Sequence, residues 1–147
     1  MSEVDLTKRP PRSPRVRLGG FVLLPRILDK CRATIAGKNG EYNFNCPLDQ
    51  MFFEHFQLNA DAFKEQAKSG KGDGEMLEWV LQNSKRKPTI VDVLAWSCYH
   101  EQRTPADTEM REFFNGLHKQ AGPKRTDINS WFDMLDLDDY VSYGGKA

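Results

Sequence analysis

Apolar residues recur at helical spacing through most of the chain, and proline, glycine and capping residues interrupt them. Leu24, Ile27, Leu28, Cys31 and Ile35 share one face of a first helix expected over 25–36, with Pro25 in its first turn and Gly37 at its stop. Arg26, Asp29, Lys30 and Ala33 then fall on the opposite face, which reads as solvated. Pro47 opens a second helix with Leu48, Met51, Phe52 and Phe56 as its stripe. Asn59 is a cap for a third, where Leu58 and Phe63 have the spacing of a hydrophobic staple. Asp73 reads as the cap of a fourth, carrying Met76, Leu77, Val80 and Leu81. Thr89 caps a fifth, with Asp92 in the capping-box position. Its apolar residues (Ile90, Val93, Leu94, Trp96, Cys98) spread around more than one face, which predicts a central helix. Thr104-Pro105 caps a sixth with Met110, Phe113, Phe114 and Leu117, ending at Gly122-Pro123. A short last helix holds Ile128, Trp131, Phe132 and Leu135.

Two stretches depart from this period. Lys8-Arg9-Pro10-Pro11-Arg12-Ser13-Pro14-Arg15 cannot be helical, because each proline removes a donor and restricts the residue before it. Leu18-Gly19-Gly20 then permits a sharp turn. In 37–46 a turn at Asn39-Gly40 is followed by Tyr42, Phe44 and Cys46 alternating with polar residues, a strand-like pattern too short to form a sheet alone. The expected fold is mainly α: an extended basic arm over 1–20, and one compact domain of about six or seven short helices over 21–147, with little or no strand.

Composition narrows the classes. The 147 residues suit one domain, and nine Phe, three Trp and four Tyr are too many aromatics for a disordered chain. No apolar run approaches a membrane span, and the first residues lack the basic and apolar regions of a signal peptide. With three scattered cysteines, Cys31, Cys46 and Cys98, the expectation is a soluble cytoplasmic protein with reduced thiols. Formal charge is zero but unevenly placed. Residues 1–38 hold nine Lys/Arg against three Asp/Glu, and residues 127–147 hold five Asp against one Lys. An internal clamp between the basic arm and the acidic tail would satisfy both.

Candidate chemistry is sparse. The cysteines and His55, His100 and His118 form no Cys-x-x-Cys or His-x-x-x-His pair, so no metal site is expected. Asp133, Asp136, Asp138 and Asp139 do not follow an EF-hand spacing. No phosphate-binding glycine loop occurs, and no cofactor is expected. The Gly19-Gly20 amides, the start of the first helix and Arg26 could cradle an anion. Cys46 precedes Pro47 at a helix start, where the dipole favours negative charge, and Glu41, Tyr42, Asp49, Arg26 and Lys30 could complete a polar pocket around it.

Arg12-Ser13-Pro14-Arg15, Leu24-Pro25-Arg26, Asp29-Lys30, Gly40-Glu41-Tyr42, Cys46-Pro47-Leu48-Asp49, Ala95-Trp96, Trp131-Phe132-Asp133 and Leu135-Asp136-Leu137-Asp138-Asp139 together resemble a bacterial family, domain of unknown function 5069. The resemblance spans nearly the whole chain. It implies a small standalone domain and brings no activity, cofactor or catalytic residue with it.

The residues favour a non-enzymatic binding or interaction domain whose ligand is a small anion or a protein. Its surface would be the arm, the first helix and the loop 41–49, with Arg26, Asp29, Lys30, Glu41, Tyr42, Cys46 and Asp49 as the site. One alternative is a small enzyme using Cys46 or the Glu41 and Asp49 carboxylates on an anionic substrate. Another is a nucleic-acid accessory protein gripping phosphates with the five basic residues between Lys8 and Arg17. The arm lacks aromatic interleaving, so nucleic acid is disfavoured, and no membrane partner is expected.

Overall fold

A computed structural model describes residues 4–147. Seven helices follow one another among these residues: α1 (Leu24–Ile35), α2 (Pro47–His55), α3 (Ala60–Lys68), α4 (Asp73–Asn83), α5 (Ile90–Gln102), α6 (Thr108–Ala121) and α7 (Trp131–Ser142). Local chemistry accounts for several of the starts. The Asn59 side chain accepts from the Ala62 amide, and Thr89 and Ser130 form capping boxes with Asp92 and Asp133. Two expected caps shift. Gly72 precedes α4, so Asp73 is its first helical residue, and α6 is capped by Asp107 rather than near Thr104. The Asp73 carboxylate is taken instead by Arg12 and Arg32.

The molecule is one mainly α domain organised around α1 rather than α5. Nine residues of α1 are buried, including charged ones. By contrast α5 buries Val93, Trp96, Ser97 and His100 and leaves Ile90, Val91, Leu94 and Tyr99 exposed. The apolar residues of α5 therefore form a surface as well as a core face, against the sequence expectation of a central helix. Around α1 the core is aromatic: Phe21 meets Phe52 and Phe56 edge-to-face at 5.8 and 5.0 Å, and Trp96 closes on Phe56 at 5.0 Å. A smaller cluster, Phe114, Ile128, Met134 and Leu137, joins α6 to α7.

Residues 4–20 carry no helix, as the prolines require, yet they are packed. Val4 and Leu6 pack on Ala33 of α1. The Gly19-Gly20 turn closes with paired backbone hydrogen bonds between Leu18 and Phe21, both glycines lying at positive φ. Ser97 on α5 pins it, accepting from the Val22 amide at 3.1 Å and donating to the Gly20 carbonyl at 2.7 Å. A Cβ on Gly19 would also lie 2.6 Å from the end of the Leu77 side chain, which would have to move aside. The segment 37–46 forms turns and no strand.

Candidate functional site

Arg26, Asp29 and Lys30 occupy the face of α1 expected to meet water, and each is only 4 % exposed. Burying a charge is costly unless it is matched, and each of the three has its match. Arg26 donates to both oxygens of Asp139 on α7 at 2.8 and 3.2 Å and to the Arg12 carbonyl at 3.2 Å. Asp29 accepts from the Arg12 amide at 2.8 Å and from its guanidinium at 3.0 Å. Lys30 reaches Asp49 at 2.8 Å and lies 3.3 Å from the Cys46 sulfur. The second Asp49 oxygen accepts from the Asn45 amide at 2.9 Å. Asn45 is held at φ 60 to make that bond, a conformation asparagine tolerates better than most residues.

Tyr42 completes the Arg26 pair. Its ring sits 5.6 Å from the guanidinium carbon, and its hydroxyl donates to Asp139 at 2.8 Å. Burial, with the neighbouring carboxylate, pushes the phenol pKa well up, so the group remains a donor.

The arm and α7 are clamped together. The Ser13 hydroxyl donates to Asp136 at 2.7 Å, and Arg15 pairs with Asp136 at 3.1 Å and with Asp133. The acidic residues lie within α7 and not beyond its end, one helical turn apart on the side that meets the arm. Arg17 pairs with Glu101 at 2.9 Å. Arg12, Arg15 and Arg17 are thus engaged by the protein's own carboxylates, and a phosphate backbone would have to displace them.

A pocket of about 560 Å³ opens beside this network, between the arm, α1, the loop 40–48 and α7. Arg26, Lys30, Glu41, Tyr42 and Cys46 line it. Asp29 faces Arg12 instead, and Asp49 lies beneath Lys30. Leu6, Leu48, Leu135 and Tyr143 supply apolar wall, and Asp138 stands at the edge. Sequence reasoning missed Asp138, Asp139 and Tyr143. The available signal was the spacing of the carboxylates along an amphipathic α7.

The electrostatic balance differs from the one the sequence led us to expect. Both cations are neutralised by buried carboxylates, whereas Glu41 and Asp138 make no ion pair among the described residues. Crowding against the protein, with the nearby Asp139 charge, raises the Asp138 pKa. The expected cradle for an anion on Arg26 is occupied by Asp139, and the Gly19-Gly20 turn packs on Leu77, Val93 and Leu94, away from this pocket. Cys46 lines this pocket and a neighbouring apolar one, and neither lining includes a histidine to serve as its base.

Residues 8–141 match the family described as Domain of unknown function (DUF5069). The chain belongs to that family. No curated protein matches it. In this DUF5069 domain residues 8–20 of the arm, α1, the loop 40–48 and α7 as far as Val141 fall inside the matched span. No helix among the described residues is long and apolar enough to cross a membrane.

Proposed function

We propose that this DUF5069 domain is a binding module whose pocket between the arm, α1 and α7 takes a small, partly apolar ligand bearing a positive or hydrogen-donating group. The observation that carries the reading is the charge balance at the pocket: Arg26 and Lys30 are matched inside the fold, and two exposed carboxylates, Glu41 and Asp138, both line the pocket without ion pairs among the described residues. Leu6, Leu48, Leu135 and Tyr143 offer the apolar wall that such a ligand needs. The enzyme readings are weaker, because Cys46 lacks a base beside it and the Asp49 carboxylate is committed to Lys30 and Asn45.

The test is a titration of three probes of one shape, phenethylammonium, 2-phenylethanol and phenylacetate, followed by residue-resolved NMR. Saturable shifts at Glu41, Tyr42, Leu135 and Tyr143 are expected for the ammonium, weaker ones for the alcohol and none for the carboxylate. Asp138→Asn should weaken the ammonium several-fold. Shifts at these residues as large with phenylacetate as with the ammonium overturn the reading.

A further inference from the structure

On the other side of α2 lies a pocket of about 850 Å³ that shares no lining residue with the one above. Met51 and His55 come from α2; Trp96, Tyr99, His100 and Arg103 come from α5 and its end. Two polar side chains in it lack the partners that such groups have elsewhere in the fold.

Arg103 is half-buried, and it meets no carboxylate among the described residues. The other guanidinium groups that are not exposed (Arg12, Arg26, Arg32) each do. Its contacts are the Met51 sulfur at 3.4 Å and the face of Trp131 at 5.7 Å. A π face attracts a cation but leaves its hydrogen-bonding fork unused. Burial lowers the Arg103 pKa, the direction expected of a cation without a counter-charge.

His100 is 4 % exposed, and its Nδ1 has no hydrogen-bond partner. A buried nitrogen left unpaired costs on the order of 1–3 kcal/mol. Burial, with the Arg103 charge adding to it, pushes the ring's pKa down to about 4, leaving it neutral near pH 7 with one donor and one acceptor nitrogen. The remaining walls are planar: Trp96 lies 4.3 Å from the His100 ring and stacks at 6.2 Å on His55, and Tyr99 is 62 % exposed at the edge.

We propose that this second pocket binds a small planar aromatic anion, with its carboxylate or phosphate on the Arg103 fork and its ring among His55, Trp96, Tyr99 and His100. The inference does not depend on the first pocket's function. Two carboxylates line this pocket as well: Asp92 is held by the Thr89 cap and Glu54 is exposed. The half-buried charge without a counter-ion is the cation, and this sets the ligand's sign.

The experiment uses the full chain and four probes: indole-3-acetate, phenyl phosphate, neutral indole-3-acetamide and cationic tryptamine. Binding is read by calorimetry and by NMR of the His100 and Trp96 side chains. At least one anion should bind tenfold or more tightly than the amide, and it should shift both rings. Which anion does so separates a carboxylate from a phosphate ligand. Arg103→Gln should weaken that anion about tenfold and leave the amide unchanged. Should that variant not fold, Arg103→Lys, which keeps the charge and loses the fork, should weaken the anion to a lesser extent. The proposal fails if the amide or tryptamine binds as well as the anions. It fails if neither anion gives a saturable His100 shift by about 10 mM, a limit weaker than the millimolar end of useful affinity. It also fails if the folded Arg103 variant binds the anion like the wild type.

Discussion

Arg26 and Asp139 join α1 to α7 through two hydrogen bonds, with less than a tenth of either side chain exposed. Removing one partner leaves a buried charge without compensation, so Asp139→Asn should cost about 3–5 kcal/mol in urea unfolding. Tyr42→Phe removes one hydrogen bond to the same carboxylate and should cost about 1.5–3 kcal/mol. The double substitution Arg26→Met with Asp139→Leu should recover most of the loss. A double variant as unstable as Asp139→Asn would show that the pair contributes more than mutual neutralisation.

His100 sets a dependence on pH. Its folded pKa of about 4 lies below the ordinary 6.5, so the unfolded chain binds the proton more readily between those values. Its contribution is complete above about pH 6.5 and is lost as pH falls towards about 4, by an amount on the order of 3 kcal/mol. His55, also depressed by burial, acts in the same direction. Unfolding free energies measured across this window should slope upward with pH, and His100→Phe should flatten most of the slope. Below about pH 4, protonation of Asp73, whose pKa is held down by Arg12, should add a further loss in both proteins.

Ser97→Ala strips both hydrogen bonds from the glycine turn and leaves the Val22 amide and the Gly20 carbonyl without their partner. A loss of about 2 kcal/mol or more is expected. Ser69→Ala, at an exposed helix end, serves as the control and should stay within about 0.5 kcal/mol.

The thiols should separate by accessibility. Cys98 is exposed, Cys46 half-buried and Cys31 buried, with burial pushing the Cys31 thiol up to about 12. Iodoacetamide labelling followed by peptide mass measurement should modify Cys98 first and Cys46 more slowly, and should reach Cys31 only on unfolding. Early labelling of Cys31 would contradict the packing around α1.

Much of the architecture was legible because it is local. Asn59, and Thr89 with Asp92, write their helix starts within four residues, and the prolines of 7–15 forbid a helix by themselves. The charged face of α1 was misread for a physical reason. Arg26 and Lys30 sit at the spacing of a solvated face, while their partners Asp139 and Asp49 lie 113 and 19 residues away. Periodicity records which residues share a face and is silent on what that face meets. The same blindness made α5 look central, since an apolar residue such as Val91, 70 % exposed here, carries no mark of its exposure. Five of the residues singled out in the sequence (Arg26, Lys30, Glu41, Tyr42, Cys46) line one pocket beside α1, but its charge balance required Asp138 and Asp139 to be brought next to them by the fold.

The clamp between the arm and α7 has a consequence for how the chain is made. A nascent polypeptide complete through α6 already holds Arg26 and the arginines of the arm, but it lacks Asp133, Asp136 and Asp139. Arg12 can already pair with Asp29 and Asp73, but Arg15 and Arg26 wait for α7 to leave the ribosome and deliver their counter-charges. A ribosome stalled before residue 131 should therefore carry a segment around Arg15 that proteases cut more readily than in the finished domain.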